Sequence, residues 1–371
     1  MNILIVSNGY GEDFIACNLI QAIQHLSPET HITVLPLVGE GLIYQQKGFT
    51  PTLKNPIFPS GGFIRTPKDL LLDLQKGLLQ NHIKQYKHIK QISPIPDLTI
   101  CVGDLFCLWM TRALKHKPLY FLPTAKSDLF MKHSWIEKHT IKSLARHVFP
   151  RDKLTTNALK KAGISASFFG NPMMDNLIQN TATSAIPGRI ALLPGSREEA
   201  YNNLIHMLRV IECDLKPELT FTVAKAPNLN LEILAKKIPK TGWQIHTRHN
   251  QSFLQKGTQL IPLETNFATT IQHAHLVCGL SGTANEQAFY MGKTVICFEG
   301  FGPQSTKKRF LEQQKLLGKN LIFLDKNSPE HIFKSLQQFV NTTPLTPHKK
   351  IPAEYNSSAS EKIIAFILNK K

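Results

Sequence analysis

A strand-like run, Ile190-Ala-Leu-Leu, turns at Pro194-Gly195-Ser196-Arg197-Glu198-Glu199 into a helical pattern. Ser196 and Glu199 have the S-x-x-E spacing of a capping box, which predicts a helix start. Arg197 then falls in the first helical turn, where a cation opposes the helix dipole at a cost of about 0.3–1 kcal/mol. An anion at the site removes that conflict, because free backbone N–H groups and a guanidinium grip phosphate together. The stretch Leu276-Val-Cys-Gly279-Leu-Ser281-Gly282-Thr283-Ala-Asn-Glu286 repeats the arrangement, with a T-x-x-E box at Thr283 and Glu286. Glycines at 279 and 282 let a ligand approach the backbone, and hydroxyls at 281 and 283 donate to phosphate oxygens. Two such helix starts at one sheet end form a diphosphate site. Glu286 either caps its helix or reaches ribose hydroxyls.

Carboxylates supply the other half of the chemistry. Asp104 follows the apolar run 98–102, at a strand's carboxyl end, where open α/β sheets place their ligands. Leu105, Phe106 and Trp109 beside it can desolvate it and raise its pKa toward a general base's range, while an N-cap role carries equal weight. The first turn, Ser7-Asn-Gly9-Tyr-Gly11-Glu12-Asp13, begins like a dinucleotide fingerprint but has Phe14 in place of the third glycine. The second strand ends in Leu35-Pro-Leu37 without an acidic residue for a ribose, so a nicotinamide cofactor is disfavoured. Gly9 and Gly11 leave room for substrate instead. The 15 histidines form no H-E-x-x-H or finger spacing, so no metal is expected.

Elements that position these residues read as alternating strands and helices, hence βα units and parallel sheets covered on both faces. Strands are expected at 3–6, 32–35, 98–102, 119–122 and 147–149, with helices at 12–25, 68–90 and 153–162. A polar linker, 171–188, precedes a second series of strands at 190–193, 220–224, 244–246, 259–261, 276–278, 294–298 and 321–324. The expected architecture is two doubly wound domains, 1–170 and 189–345, with a cleft between them. A second linker at 344–352 leads to a terminal amphipathic helix.

Charge sets the class of partner. Lys and Arg number 43 against 26 Asp and Glu, a formal +17, which favours anionic partners. No nucleic-acid recognition module appears. The six cysteines lack a C-x-x-C pair and read as buried thiols of a reducing compartment, so a cytoplasmic protein is expected. Pro56 to Arg65 with Leu70-Leu-Leu72 mixes bulky apolar and basic residues, which suits contact with anionic lipid or a buried loop. The helix carrying Lys84, Lys87 and Lys90 reads as a solvated amphipathic helix.

Phe168-Phe-Gly-Asn-Pro-Met-Met-Asp175, Leu192-Leu-Pro-Gly-Ser-Arg197 and Ser281-Gly-Thr-Ala284, in this order, resemble lipid-A-disaccharide synthase. Ser281 to Gln287, Gly302-Pro-Gln304 and Leu311 to Gly318 look closer to the synthase-related proteins of that family. The resemblance covers most of the chain and implies an α/β GT-B glycosyltransferase, with two Rossmann-like domains and helix 356–371 crossing back to the first. It implies that Gly195, Ser196, Arg197, Ser281, Gly282 and Thr283 surround the diphosphate of a UDP-sugar, with Gln304 and Asn171 on the substrate. Asn171 stands where the synthase usually has His, and Glu286 comes one residue earlier than its Glu. Residues 122–129 lack the synthase's Ser- and Trp-rich acceptor stretch, and the turn at Gly9 to Glu12 also differs. The implied reaction is an inverting, metal-independent transfer to a lipid or other amphiphilic hydroxyl, at the inner face of the cytoplasmic membrane. Asp104 takes the acceptor's proton, with Glu12 or Asp13 in reserve. The alternatives are a UDP-N-acetylglucosamine 2-epimerase of the same fold, or a non-catalytic sugar-nucleotide binder.

Overall fold

A computed structural model describes residues 1–56, 58, 67–114, 118–124, 126–129, 131–175, 177, 185–214, 218–238, 241–345 and 357–370. Most of the apolar and basic stretch 56–65, much of the 171–188 linker and most of the 344–352 linker lie outside them. The chain divides into two compact units, Met1–Asp175 with Glu354–Lys371, and Asn176–Ala353.

The first unit runs β1 (Asn2–Ser7), α1 (Tyr10–Leu26), β2 (His31–Pro36), α2 (Leu42–Gln46), α3 (Pro67–Gln75), α4 (Leu78–Lys90), β3 (Leu98–Gly103), α5 (Leu105–Thr111), β4 (Leu119–Pro123), α6 (Trp135–Leu144), β5 (His147–Val148) and α7 (Lys153–Lys161). Its five strands are parallel in the order β2-β1-β3-β4-β5. The chain leaves β1 toward one edge and returns on the other side at β3, so the topological switch point lies between these two strands. All six residues of β3 are buried, which explains its unbroken apolar run. On one face, Leu4, Val6, Cys101, Phe121 and Val148 pack with Ile89 of α4, Cys107, Leu108 and Met110 of α5, Ile141 of α6 and Leu159 of α7. Fully burying each such side chain contributes about 1.5–3 kcal/mol before chain entropy is subtracted. The helix expected over 68–90 is two helices, because Gly77 adopts a left-handed φ of 89° between them.

The second unit contains β6 (Arg189–Leu193), α8 (Ala200–Ile211), β7 (Thr220–Ala224), α9 (Leu231–Lys237), β8 (Gln244–Arg248), β9 (Gln251–Lys256), β10 (Gln259–Glu264), α10 (Phe267–His273), β11 (Leu276–Gly279), α11 (Thr283–Tyr290), β12 (Val295–Phe298), α12 (Lys307–Leu317), β13 (Leu321–Leu324) and α13 (Pro329–Thr342). Its eight strands take the order β13-β12-β11-β6-β7-β10-β9-β8. The switch point falls between β6 and β11. Strand β9 was not expected. It pairs antiparallel with β8 and β10, and His249 and Asn250 make the first turn with φ of 48° and 62°.

Residues 171–175, expected in a linker, belong to the first unit. Pro172–Met174 form a buried 3₁₀ turn whose Pro172 carbonyl accepts from the Asn18 amide at 2.8 Å. Asp175 then accepts from the N–H groups of Ala359 and Ser360, both at 2.8 Å, at the start of α14 (Ala359–Asn369). That carboxylate satisfies helix-end donors and holds α14 in the same unit as α1, against which it packs.

Candidate functional site

At the switch point of the second unit, the turn after β6 and the turn after β11 lie side by side. The Leu280 N–H donates to the Leu193 carbonyl at 2.8 Å. Gly195 has φ of 110°, a conformation suited to glycine, and a Cβ placed on it would sit 3.8 Å from the Leu280 carbonyl oxygen. Ser196, Arg197, Ser281, Gly282 and Thr283 are all half-buried around this seam. Gln304 borders it as well. Its Oε1 would lie 3.5 Å from a Cβ on Gly282, and it accepts from Arg309 at 3.5 Å.

Neither expected capping box forms. Helix α8 starts at Ala200, with Glu199 as an N-cap that makes no side-chain bond. Ser196 and Arg197 therefore belong to the preceding loop, and the helix-dipole argument for Arg197 loses its geometric basis. The cause is non-local: the Asn228 amide donates to the Ser196 carbonyl, and the Glu199 side chain packs against Gly302. Helix α11 begins at Thr283 with Gly282 at its N-cap, also without a side-chain bond, and Glu286 is buried one turn along. Neither N-cap residue bonds its helix through its side chain, and at α8 the Ala200 N–H donates to the Arg197 carbonyl at 2.9 Å.

Residues that the sequence reading missed hold these turns in place. Asn203 is fully buried, donates to the Pro194 carbonyl at 3.0 Å and accepts from the Phe301 N–H at 2.7 Å. Ser305, also fully buried, donates to the Leu280 carbonyl at 2.8 Å. Asn285 donates to the Gly279 carbonyl at 3.1 Å, and its amide occupies the space a Cβ on Gly279 would need. Gln313 donates to the Gly282 carbonyl at 2.8 Å. Buried amides of this kind fix a loop because each unmade bond costs about 1–3 kcal/mol.

The first unit's switch point carries carboxylates. Asn8, just beyond β1, donates to Asp104 Oδ1 at 2.5 Å across the boundary between β1 and β3. Asp104 is the N-cap of α5 and accepts from the Phe106 N–H at 2.8 Å. Its side chain keeps access to solvent, yet the packing around it raises its pKa above the usual carboxylate range, against the opposing pull of the Phe106 N–H and the Asn8 amide. Capping and proton transfer are compatible, because the cap uses Oδ1. Glu12, half-buried, accepts from Thr124 Oγ1 at 2.9 Å, which brings the end of β4 to the same place.

Asp13 is buried beneath this cluster. Ser7 Oγ donates to it at 2.6 Å and lies 2.7 Å from the Tyr44 hydroxyl. Burial pushes Asp13 up to about 8, partly offset by the Ser7 bond, and the neighbouring Glu12 charge adds to the rise. Gly9 is the N-cap of α1, its missing Cβ leaving space used by the Glu12 carboxylate, and Gly11 is the second residue of that helix. Asn171 is buried and caps the 3₁₀ turn through the Met173 N–H at 3.1 Å. Among the described residues, no three His, Cys, Asp or Glu side chains gather as metal ligands. No helix among them is long and apolar enough to cross a membrane.

No protein-family model and no curated protein matches the chain. Solved structures do. MnaA of S. aureus with UDP aligns at a TM-score of 0.60 and 14% identity, covering 99% of this chain and 97% of that one. UDP-GlcNAc 2-epimerase from Neisseria meningitidis, bound to UDP-GlcNAc, aligns at 0.55 and 14%, covering 100% of both. The calicheamicin glycosyltransferase CalG4 aligns at 0.58 and 13%, covering 100% of this chain and 97% of its own. At such identities the likeness establishes the fold, a two-domain α/β protein of the GT-B type.

Proposed function

We propose that this chain is an enzyme that acts on a UDP-sugar and breaks the bond between the sugar's anomeric carbon and the diphosphate. The observation that supports this reading is the seam between Leu193 and Leu280, which brings the loop carrying Gly195, Ser196 and Arg197 beside the glycine turn that opens α11. N–H groups and a guanidinium there would stabilise the charge on departing UDP. That role needs no divalent cation. Ser281, Gly282, Thr283 and Gln304 complete the diphosphate surroundings, with Glu286 toward the ribose.

Its preferred form is 2-epimerisation of UDP-N-acetylglucosamine, supported by the aligned epimerase bound to UDP-GlcNAc. Epimerisation needs a proton taken from carbon 2 and returned on the opposite face, with no second substrate. Asp104 and Glu12 are suited to handle that proton, and Asp13 stands in reserve. A second reading is transfer of the sugar to a hydroxyl on an amphiphile, with Asp104 as base. The synthase-like motifs at 168–175, 192–197 and 281–284 favour it, as does the alignment with a glycosyltransferase.

Incubation with UDP-N-acetylglucosamine alone in deuterated water separates the two. Epimerisation replaces the carbon-2 proton with deuterium and yields the manno isomer, whereas transfer leaves the nucleotide sugar intact until an acceptor is added. A protein that neither binds UDP nor changes the sugar overturns both.

A further inference from the structure

The helices α4, α5 and α6 form one layer. Ile89 of α4, Cys107, Leu108 and Met110 of α5 and Ile141 of α6 enter one core on the same face of the first unit's sheet, and α5 packs against both neighbours. The opposite side of that layer is therefore a common outer surface, and it is unusually apolar. Leu79, Ile83 and Tyr86 form a stripe on α4 at helical spacing, all exposed. Trp109 on α5 is 57% exposed, and Trp135 and Ile136 on α6 are 77% and 55% exposed. Large apolar side chains concentrated on adjoining helices mark a contact surface, whereas scattered ones do not.

The charge around them identifies the partner. Helix α4 contains Lys84, Lys87 and Lys90, all exposed, and no Asp or Glu. Arg112 follows α5, and α6 adds Lys142. The only acidic residue of α5 and α6 is Glu137, whose carboxylate pairs with Lys126 at 2.5 Å and caps the helix through the Ser134 N–H. Aromatic and aliphatic side chains interleaved with exposed lysines fit an interface of headgroups and acyl chains.

We propose that the outer face of α4, α5 and α6 docks on an anionic phospholipid bilayer. The tryptophans and Ile83 enter the headgroup boundary, while Lys84, Lys87 and Lys90 meet lipid phosphates. This goes beyond the reading of the nucleotide site and does not depend on it.

The full chain is tested by cosedimentation with vesicles of phosphatidylcholine alone and of equimolar phosphatidylcholine and phosphatidylglycerol. Intrinsic fluorescence gives a second readout, because two of the three tryptophans lie on this face and the third, Trp243, is fully buried. The wild type is expected to sediment with the anionic vesicles and shift its emission to the blue. The pair Lys84→Glu and Lys87→Glu is expected to lose about tenfold or more in vesicle affinity. Ile83→Glu with Trp135→Glu is expected to abolish sedimentation while the far-ultraviolet circular dichroism and thermal unfolding stay as in the wild type, which shows the fold is intact. Absence of binding, equal binding to both vesicle types, or unaltered binding by the variants overturns the proposal. So does a stable dimer that shields Trp135 from a soluble quencher and is dispersed by Trp135→Glu.

Discussion

The two switch points are built on one plan and carry opposite chemistry. In each, a glycine ends a central strand and an asparagine amide fills the space its side chain would take. Asn8 lies over Gly103 in the first unit, and Asn285 lies over Gly279 in the second. Asn8 then donates to a carboxylate, Asp104, whereas Asn285 donates to the backbone carbonyl of Gly279 itself. The first arrangement orients an acid, and the second tightens the turn that leads from β11 into α11. On the proposed reading, this shared backbone device would serve proton handling in one unit and anion binding in the other, a division set by the few residues that follow each strand.

That division can be broken most severely at Asp104. Asp104→Asn keeps the Phe106 cap acceptor but removes the titrating group, so turnover is expected to fall about 10²–10⁴-fold with unchanged thermal unfolding. A variant with wild-type turnover would remove proton handling from this site. Arg197→Ala is expected to cost about 10²–10³ in kcat and to weaken UDP binding, again without loss of stability. The initial rate of deuterium entry at carbon 2 of UDP-N-acetylglucosamine checks both under the epimerase reading, and acceptor-dependent UDP release checks them under the transfer reading.

The two glycines sharpen the comparison structurally. Gly103→Ala places a methyl 1.8 Å from Asn8 Oδ1 at a φ of 148°, while Gly279→Ala meets Asn285 Oδ1 at 1.9 Å without an unusual φ. Denaturant unfolding is expected to show the Gly103 variant as the less stable, by about 1–3 kcal/mol, because backbone strain adds to displacement of the amide. Equal losses would mean that the φ value contributes nothing.

The last test is one of pH and leaves both switch-point turns unaltered. Burial pushes Asp13 from the usual carboxylate range up to about 8, so the unfolded chain binds fewer protons between about pH 4 and 8. Its contribution to stability is complete below about pH 4 and is lost as pH rises through about 8. Asp13→Asn keeps an acceptor for Ser7 and is expected to flatten the fall in melting temperature across that window. An unchanged slope would show that Asp13 is ionised in the fold.

Much of this organisation was legible in the sequence, because buried parallel strands leave runs such as Leu98–Gly103 whose apolar character is local. Helix starts were less legible. The S-x-x-E spacing occurs at Ser134 to Glu137 and at Ser196 to Glu199, yet only the first is a capping box. At the second, contacts from Asn228 and Gly302, distant in sequence, decide the loop. Strand β9 escaped because it is polar and half-exposed, with little periodicity to report it. Asp104 and Glu12 were visible as acids near strand ends, but Asn8, Thr124, Asn203 and Ser305 become meaningful only through partners about 90 to 110 positions away.

The most direct test is calorimetric titration of UDP into the full-length wild type, Arg197→Ala and Asp104→Asn. If anion binding belongs to the second unit and proton handling to the first, Arg197→Ala weakens UDP by about tenfold or more, and Asp104→Asn binds it as the wild type does. Equal affinity in all three proteins, or a loss confined to Asp104→Asn, would contradict that division.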